Sequence, residues 1–214
     1  STLVSVAAVN DAPTATGVDT ITLSGLAESG DSVDLLGDAD TLILFNGTNT
    51  ISVSNVETIN MTAGAAGNII NMESVLTGAT INGTAATNDR INLGNFANAV
   101  TLAGISTIIG GAMDDQITVA AGDVLAIDGG DDADTADYRG SAAGVTVSLA
   151  DGTASGGDAT GDVLNGIEHL FGSDEADSLA GDAGDNRLDG GRGDDTLTGG
   201  DGDDTLSGGR GADA

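Results

Sequence analysis

The sequence has no cysteine, no tryptophan, no lysine and a single proline. No disulfide framework and no cysteine-based zinc site can therefore form. Aromatic residues are 2% of the 214, so a rounded core built on aromatic volume is not available. Positive charge is nearly absent. Arg90, Arg139, Arg187, Arg192 and Arg210 are the five basic residues against 34 acidic ones, a formal net charge of −29. Repulsion from phosphates excludes a nucleic-acid partner. No run of 18 apolar residues is present, so no helical membrane span is expected. The basic and cleavable pattern of a signal peptide is missing from the opening residues, which reads either as a processed piece or as a protein exported by a signal elsewhere.

What is present is 39% hydrophobic residues, almost all small aliphatics, together with 35 glycines. That apolar content is too high for an acidic disordered tail. It suits a narrow core of stacked Val, Ile and Leu. Residues 1–109 hold 10 acidic groups and residues 110–214 hold 24. Most are Asp, a poor helix former that favours turns. Short β-prone runs such as Thr20–Leu23, Thr41–Phe45 and Thr50–Val53 alternate with Gly, Asn and Asp. No stretch of 12 residues has a helical period. Residues 1–16 read as a linker or the end of a preceding β domain. The string Ala8–Thr14 (AVNDAPT) resembles the last strand and linker of bacterial cadherin-like repeats.

Two internal repeats decide the architecture. One is a strand motif: NVETIN at 55–60, NMESVLTG at 71–78, GISTIIGG at 104–111 and GIEHLFGS at 166–173. The other runs in nines from Gly172: GSDEADSLA, GDAGDNRLD, GGRGDDTLT, GGDGDDTLS and the partial GGRGADA. Six residues with Gly at positions 1, 2 and 4 can turn through φ > 0. The next three form a minimal strand, with Leu179, Leu188, Leu197 and Leu206 facing inward. Two nines make one coil of 18 residues, and coils stack as parallel strands about 4.8 Å apart. Asp177, Asp195 and Asp213 then share one edge, and Asn186 and Asp204 the other. Like carboxylates at that spacing repel by roughly 0.9 kcal/mol in water, and about four times more at an effective dielectric of 20. With so few arginines, a hard divalent cation taking 6–8 oxygen ligands is the natural counter-charge: Ca²⁺ rather than Mg²⁺.

The pattern G-G-x-G-x-D-x-U-x, matched at every fixed position over 190–207, resembles the repeat of RTX (repeats-in-toxin) proteins. The resemblance extends to Gly110–Ile117 and Gly129–Thr135, with Met113 and Asp132 in the place of the fourth glycine. Weaker echoes stand at Gly17–Ile21 and Gly37–Leu42. It implies an all-β, right-handed parallel β-solenoid: residues 110–214 an RTX-type calcium-binding β-roll, residues 17–109 a solenoid continuation or a β-sandwich. The strand motif on both sides of residue 110 favours the continuation. The implied Ca²⁺ ligands are Asp177, Asn186, Asp195, Asp204, Asp213, Asp115 and Asp134, with about three sites in 172–214, each shared by turns two repeats apart.

The resemblance further implies type I secretion and a calcium-dependent structural module of a secreted or cell-surface bacterial protein. An adhesin, filament or surface layer fits, with copies of itself, other surface proteins or cell-surface glycans as partners. The alternative is the noncatalytic tail of a secreted carbohydrate-active enzyme or protease. No catalytic residue is assigned. His169 reads as a strand residue on an outward or edge position, Tyr138 and Phe171 as core or cap residues, and Met61, Met72 and Met113 as core fillers.

Overall fold

A computed structural model describes residues 6–9, 20–23, 31–34, 41–44, 50–54, 56–61, 69–72, 75–83, 89–120 and 125–214. The turn around Pro13 and the echoes at Gly17–Asp19 and Gly37–Asp40 lie outside these residues. The described residues form two sheets of eleven strands each, and one short 3-10 turn at Gly157–Ala159.

From Thr20 to Asp137 the described strands alternate between the sheets, so that neighbours in one sheet are separated by a visit to the other. The first sheet runs Val6–Val9, Thr20–Leu23, Thr41–Leu44, Thr58–Met61, Thr77–Asn82, Ala99–Ala103, Gln116–Val119, Thr135–Asp137, His169–Phe171, Arg187–Asp189, Thr205–Ser207. All its pairings are parallel except the first. The second sheet begins Asp31–Asp34, Thr50–Ser54, Ile69–Met72, Arg90–Asn92, Thr107–Gly111 and Ala126–Gly130, again parallel. The parallel stack therefore runs through residue 110 without a change of architecture.

Register follows from alternation: β-branched and aliphatic residues recur at every second position, and one set points inward. Across the first sheet, Leu42, Ile59, Ile81, Leu102 and Val119 are successive partners, all buried. A second column runs Val100, Ile117, Ala136, Leu170, Leu188 and Leu206. The opposite sheet supplies Ile70, Ile91, Ile108, Ile127 and Leu164. These columns make one continuous core. Each buried Leu or Ile contributes about 1.5–3 kcal/mol. Leu179 and Leu188 are buried and Leu197 is half-buried, but Leu206 is 47% exposed. Among the described residues its strand is the edge of the first sheet.

The strand motif marks corners. Val56, Ile105 and Ile167, its leading apolar residues, are buried where the chain turns. Met61 and Met72 are core residues, as expected. Met113 is not: it is 52% exposed with φ 77°, because it occupies a left-handed turn position that points its side chain outward.

Residues 138–165 break the simple alternation. The second sheet continues from Ala126–Gly130 not to Thr146–Ser148 but to Val163–Asn165, then Thr153–Ser155, then Thr146–Ser148, then Ser178–Ala180 and Thr196–Thr198. The chain therefore steps two places ahead, reverses twice through antiparallel pairings, and returns. Tyr138 fills the space beneath this excursion. It is among the largest fully buried side chains, and its hydroxyl donates to Asp162 Oδ2 at 3.0 Å. Burial and the Asp162 carboxylate push the phenol further above its ordinary range.

Candidate metal centre

The turns that carry the acidic residues sit along the two edges where the chain passes between sheets. Turns 110–115, 129–134, 181–186 and 199–204 lead into the first sheet, and turns 172–177, 190–195 and 208–213 into the second. In each, the sixth residue stands directly before a strand or at the matching place and folds back over the first glycine. A Cβ on Gly110 would meet Asp115 Oδ2 at 2.5 Å, and one on Gly129 would meet Asp134 Oδ2 at 2.5 Å. Glycine is therefore required there by the carboxylate it accommodates.

The sixth-position side chains are tied across coils. One oxygen of each, Asn186 excepted, accepts a main-chain N–H from the coil before it. On the first edge Asn98 Oδ1 accepts from Leu76, Asp115 Oδ1 from Asn98 and Asp134 Oδ1 from Asp115, at 2.8–2.9 Å. Glu168 Oε2 then accepts from Asp134, and Asp204 Oδ1 from Asn186. On the second edge Asp162 Oδ1 accepts from Leu125, Asp177 Oδ1 from Val145, Asp195 Oδ1 from Asp177 and Asp213 Oδ1 from Asp195. Fifth-position carboxylates reach the other way: Asp114, Asp185 and Asp194 accept from the main chain of Ala133, Asp203 and Ala212 in the following coil. An Asp-Asp pair thus ties a coil to both its neighbours.

The second carboxylate oxygen separates the turns into two kinds. In turn 172–177, Ser173 N–H donates to Asp177 Oδ2 at 2.7 Å and the Ser173 hydroxyl to Oδ1 at 3.0 Å. In turn 181–186, Asp182 N–H donates to Asn186 Oδ1, and Asn186 Nδ2 donates to the Glu168 carbonyl. Both turns close on themselves. Where position 2 is a glycine with φ near +100°, as at Gly111, Gly130 and Gly191, no such bond forms. Asp115, Asp134 and Asp195, each at most 2% exposed, keep a buried Oδ2 without a hydrogen-bond partner. Burying a bare carboxylate oxygen is costly unless a cation or a proton meets it. Burial, followed by neighbouring carboxylates, accordingly raises Asp115 and Asp195 above the ordinary range, and Asp134 to about 7.

The structure thus places Asp177, Asp195 and Asp213 on one edge and Asp115, Asp134, Asn186 and Asp204 on the other. Asp204 is half-buried and Asp213 exposed. Among the described residues, no three His, Cys, Asp or Glu side chains gather around one point. A cation held here would draw on pairs of carboxylates supplemented by main-chain carbonyls, a donor set that suits a hard ion with many oxygen ligands. Sequence reasoning missed Asn98, Asp162 and Glu168 as members of the ladders. Their signal was present: each is an Asp, Asn or Glu immediately ahead of a strand.

His169 is half-buried on a strand, with Nδ1 3.5 Å from Thr135 Oγ1, and lines an open cleft of about 400 Å³ together with Asn98, Asp114, Asp115 and Gln116. Arg139 is not among that lining. It is held by both oxygens of Asp137 and lies 4.7 Å from the centre of the Phe171 ring, whose environment Arg187 shares at 5.5 Å. Burial pushes the Asp137 carboxyl up, but the Arg139 bonds bring it below its ordinary value.

Residues 162–197 and 181–214 match the family described as RTX calcium-binding nonapeptide repeat (4 copies). No curated protein matches the chain. The matched segment is the stretch in which the nine-residue turns stack edge to edge. That segment carries RTX repeats, which bind Ca²⁺, and Asp195, with its buried and unpartnered Oδ2, lies within it.

Proposed function

We propose that this RTX β-roll is a calcium-dependent structural module of a secreted or cell-surface protein, folding when it meets Ca²⁺ after export. The observation that carries this reading is Asp195: a carboxylate 1% exposed, with one oxygen tied to the preceding coil and the other without a partner. Ca²⁺ would be held by the turns whose second-position glycine leaves the sixth carboxylate open: 190–195 with 208–213 on one edge, and 199–204 on the other. The module is an adhesin, filament or surface-layer element, to which the aliphatic repetitive core and the absence of cysteine are suited.

Extracellular calcium modules often bind at about 10⁻⁴–10⁻³ M. Each site at tenfold excess over its Kd adds about 1.4 kcal/mol to folding stability. The chain would stay open where Ca²⁺ is scarce and close where it is abundant, because the metal-binding free energy is folding free energy. Circular dichroism with added Ca²⁺ and with chelator tests this: β-structure is expected to appear on Ca²⁺ addition. Identical spectra in the two conditions rule the reading out. Asp195→Asn combined with Asp204→Asn, one residue from each edge, is expected to lower the Ca²⁺ stoichiometry and the Tm, whereas His169→Ala changes neither.

A further inference from the structure

We propose that the outward face of the first sheet around Phe171 is a self-association surface, on which two copies of this chain meet about a two-fold axis parallel to the stack. The inference goes beyond the calcium-dependent module and rests on residues outside the acidic turns. Charge singles out this face. The chain has five basic residues against 34 acidic ones, and the carboxylate turns run along the two edges. Arg139 and Arg187 both stand over the Phe171 ring, 4.7 and 5.5 Å from its centre. With Asp137 and Asp189 they make a patch without net charge in a chain that carries −29. Such a patch lets two copies approach without the repulsion that the acidic edges impose.

The register makes the patch complementary to itself. Side chains two apart in a strand share a face. His169, Arg187 and Thr205 are successive partners in one outward column, and Phe171, Asp189 and Ser207 in the next. A two-fold axis running between the columns exchanges them. Arg187 then faces Asp189 of the second copy, and Asp189 faces Arg187 of the second copy. One level along the stack, His169 and Phe171 face each other in the same reciprocal way. The contact is isologous and brings no like charges together. An axis along the strands would instead set Arg187 against Arg187 and Asp189 against Asp189, so charge selects the first arrangement.

Within one chain this complementarity goes unused. Arg187 is exposed and Asp189 half-buried. Neither is in an ion pair: those among the described residues are Arg139 with Asp137 and Arg192 with Asp174. Both oxygens of Asp137 hold Arg139, so the guanidinium beside the ring is fixed before a partner arrives and loses little freedom on association. An aromatic ring among arginines is the composition of an interface centre. The strands there are three residues long, so the contact is small and the association weak.

The test is the mass of the full chain by sedimentation equilibrium, with Ca²⁺ present throughout, for the unaltered protein, Arg187→Glu, Asp189→Arg and the two changes together. The unaltered chain is expected to dimerise with a Kd below about 1 mM. Each single change sets like charges across the axis twice and is expected to weaken the dimer by about tenfold or more. The combined change exchanges the two signs and is expected to restore it. An unaltered chain that stays monomeric up to about 1 mM, single changes without effect, or a combined change that fails to restore the dimer overturns the proposal. If a variant does not fold, judged by its circular dichroism in Ca²⁺, the unaltered chain decides. Its dimer is expected to dissociate in about 1 M NaCl, where screening acts over about 3 Å, and a dimer indifferent to salt overturns the proposal. Failure of calcium-dependent folding shows in the spectra and failure of pairing in the mass, so the two are distinguishable.

Discussion

At the scale of single residues, the two oxygens of a sixth-position carboxylate have different work. Oδ1 joins coils through main-chain bonds at Asp115, Asp134, Asp177 and Asp195 alike. Only Oδ2 differs between a turn that closes on itself and one that leaves it without a partner. Repulsion between stacked carboxylates, read from spacing alone, missed this division, since an amide such as Asn98 serves the ladder equally well. The protonation of Asp134 follows. Burial raises it to about 7 from the usual carboxylate value of 3.8, so the metal-free fold gains from a bound proton. That gain is complete below about pH 4 and is lost as pH rises through 7. Residual β-structure in chelator is thus expected to be greater at pH 5 than at pH 8, measured by circular dichroism. A second residue prediction concerns Tyr138→Phe. It removes a buried hydrogen bond to the Asp162 carboxylate and is expected to cost about 1.5–3 kcal/mol in thermal denaturation, with Ca²⁺ stoichiometry unchanged.

At the scale of turns and strands, glycine and serine at position 2 decide how a turn is held. Ser173→Gly removes the hydroxyl bonds to Asp177 and Glu175. The midpoint of Ca²⁺-induced folding is expected to move to higher concentration in a circular-dichroism titration, as a turn that closes on itself becomes one that waits for metal. Gly129→Ala tests position 1. Its methyl group would meet the Gly166 carbonyl and, at 2.5 Å, Asp134 Oδ2, so a loss of about 3 kcal/mol or more is expected in chemical denaturation. Much of this level was legible beforehand. The nine-residue register placed Leu179 and Leu188 inside and put Asp195 and Asp204 on opposite edges, because a fixed period leaves a side chain no choice of face. Met113 was not legible: an apolar residue in a left-handed turn obeys the backbone rather than its hydrophobicity. Nor was the role of Ser173, which depends on a main-chain N–H direction that no side-chain pattern encodes.

At the scale of the whole molecule, the core is two columns of aliphatics per sheet, and the charge lies along two edges. Strand spacing is about 4.8 Å, whereas screening at 0.15 M salt acts over about 8 Å. Monovalent salt is therefore a poor substitute for an ion seated between coils. Raising NaCl to 0.15 M in chelator is expected to restore little of the β-structure that Ca²⁺ restores, read by the same spectra. The alternating stack was legible from repeats, since each coil presents the next with the same face. The excursion at 138–165 was not, because nothing in Thr146–Ser148 or Val163–Asn165 declares which neighbour it will choose. That excursion constrains the order of assembly. Elsewhere a coil can be laid on the one before it as soon as it exists. Here Thr146–Ser148 has no place against Ala126–Gly130, whose partner, Val163–Asn165, comes later in the chain. Growth of the stack in the second sheet must halt here from either side until the reversal is complete, because Ser178–Ala180 likewise pairs with Thr146–Ser148 and not with the nearer Val163–Asn165. The fold thus has a built-in checkpoint, set by a reversed run of strands and not by the metal.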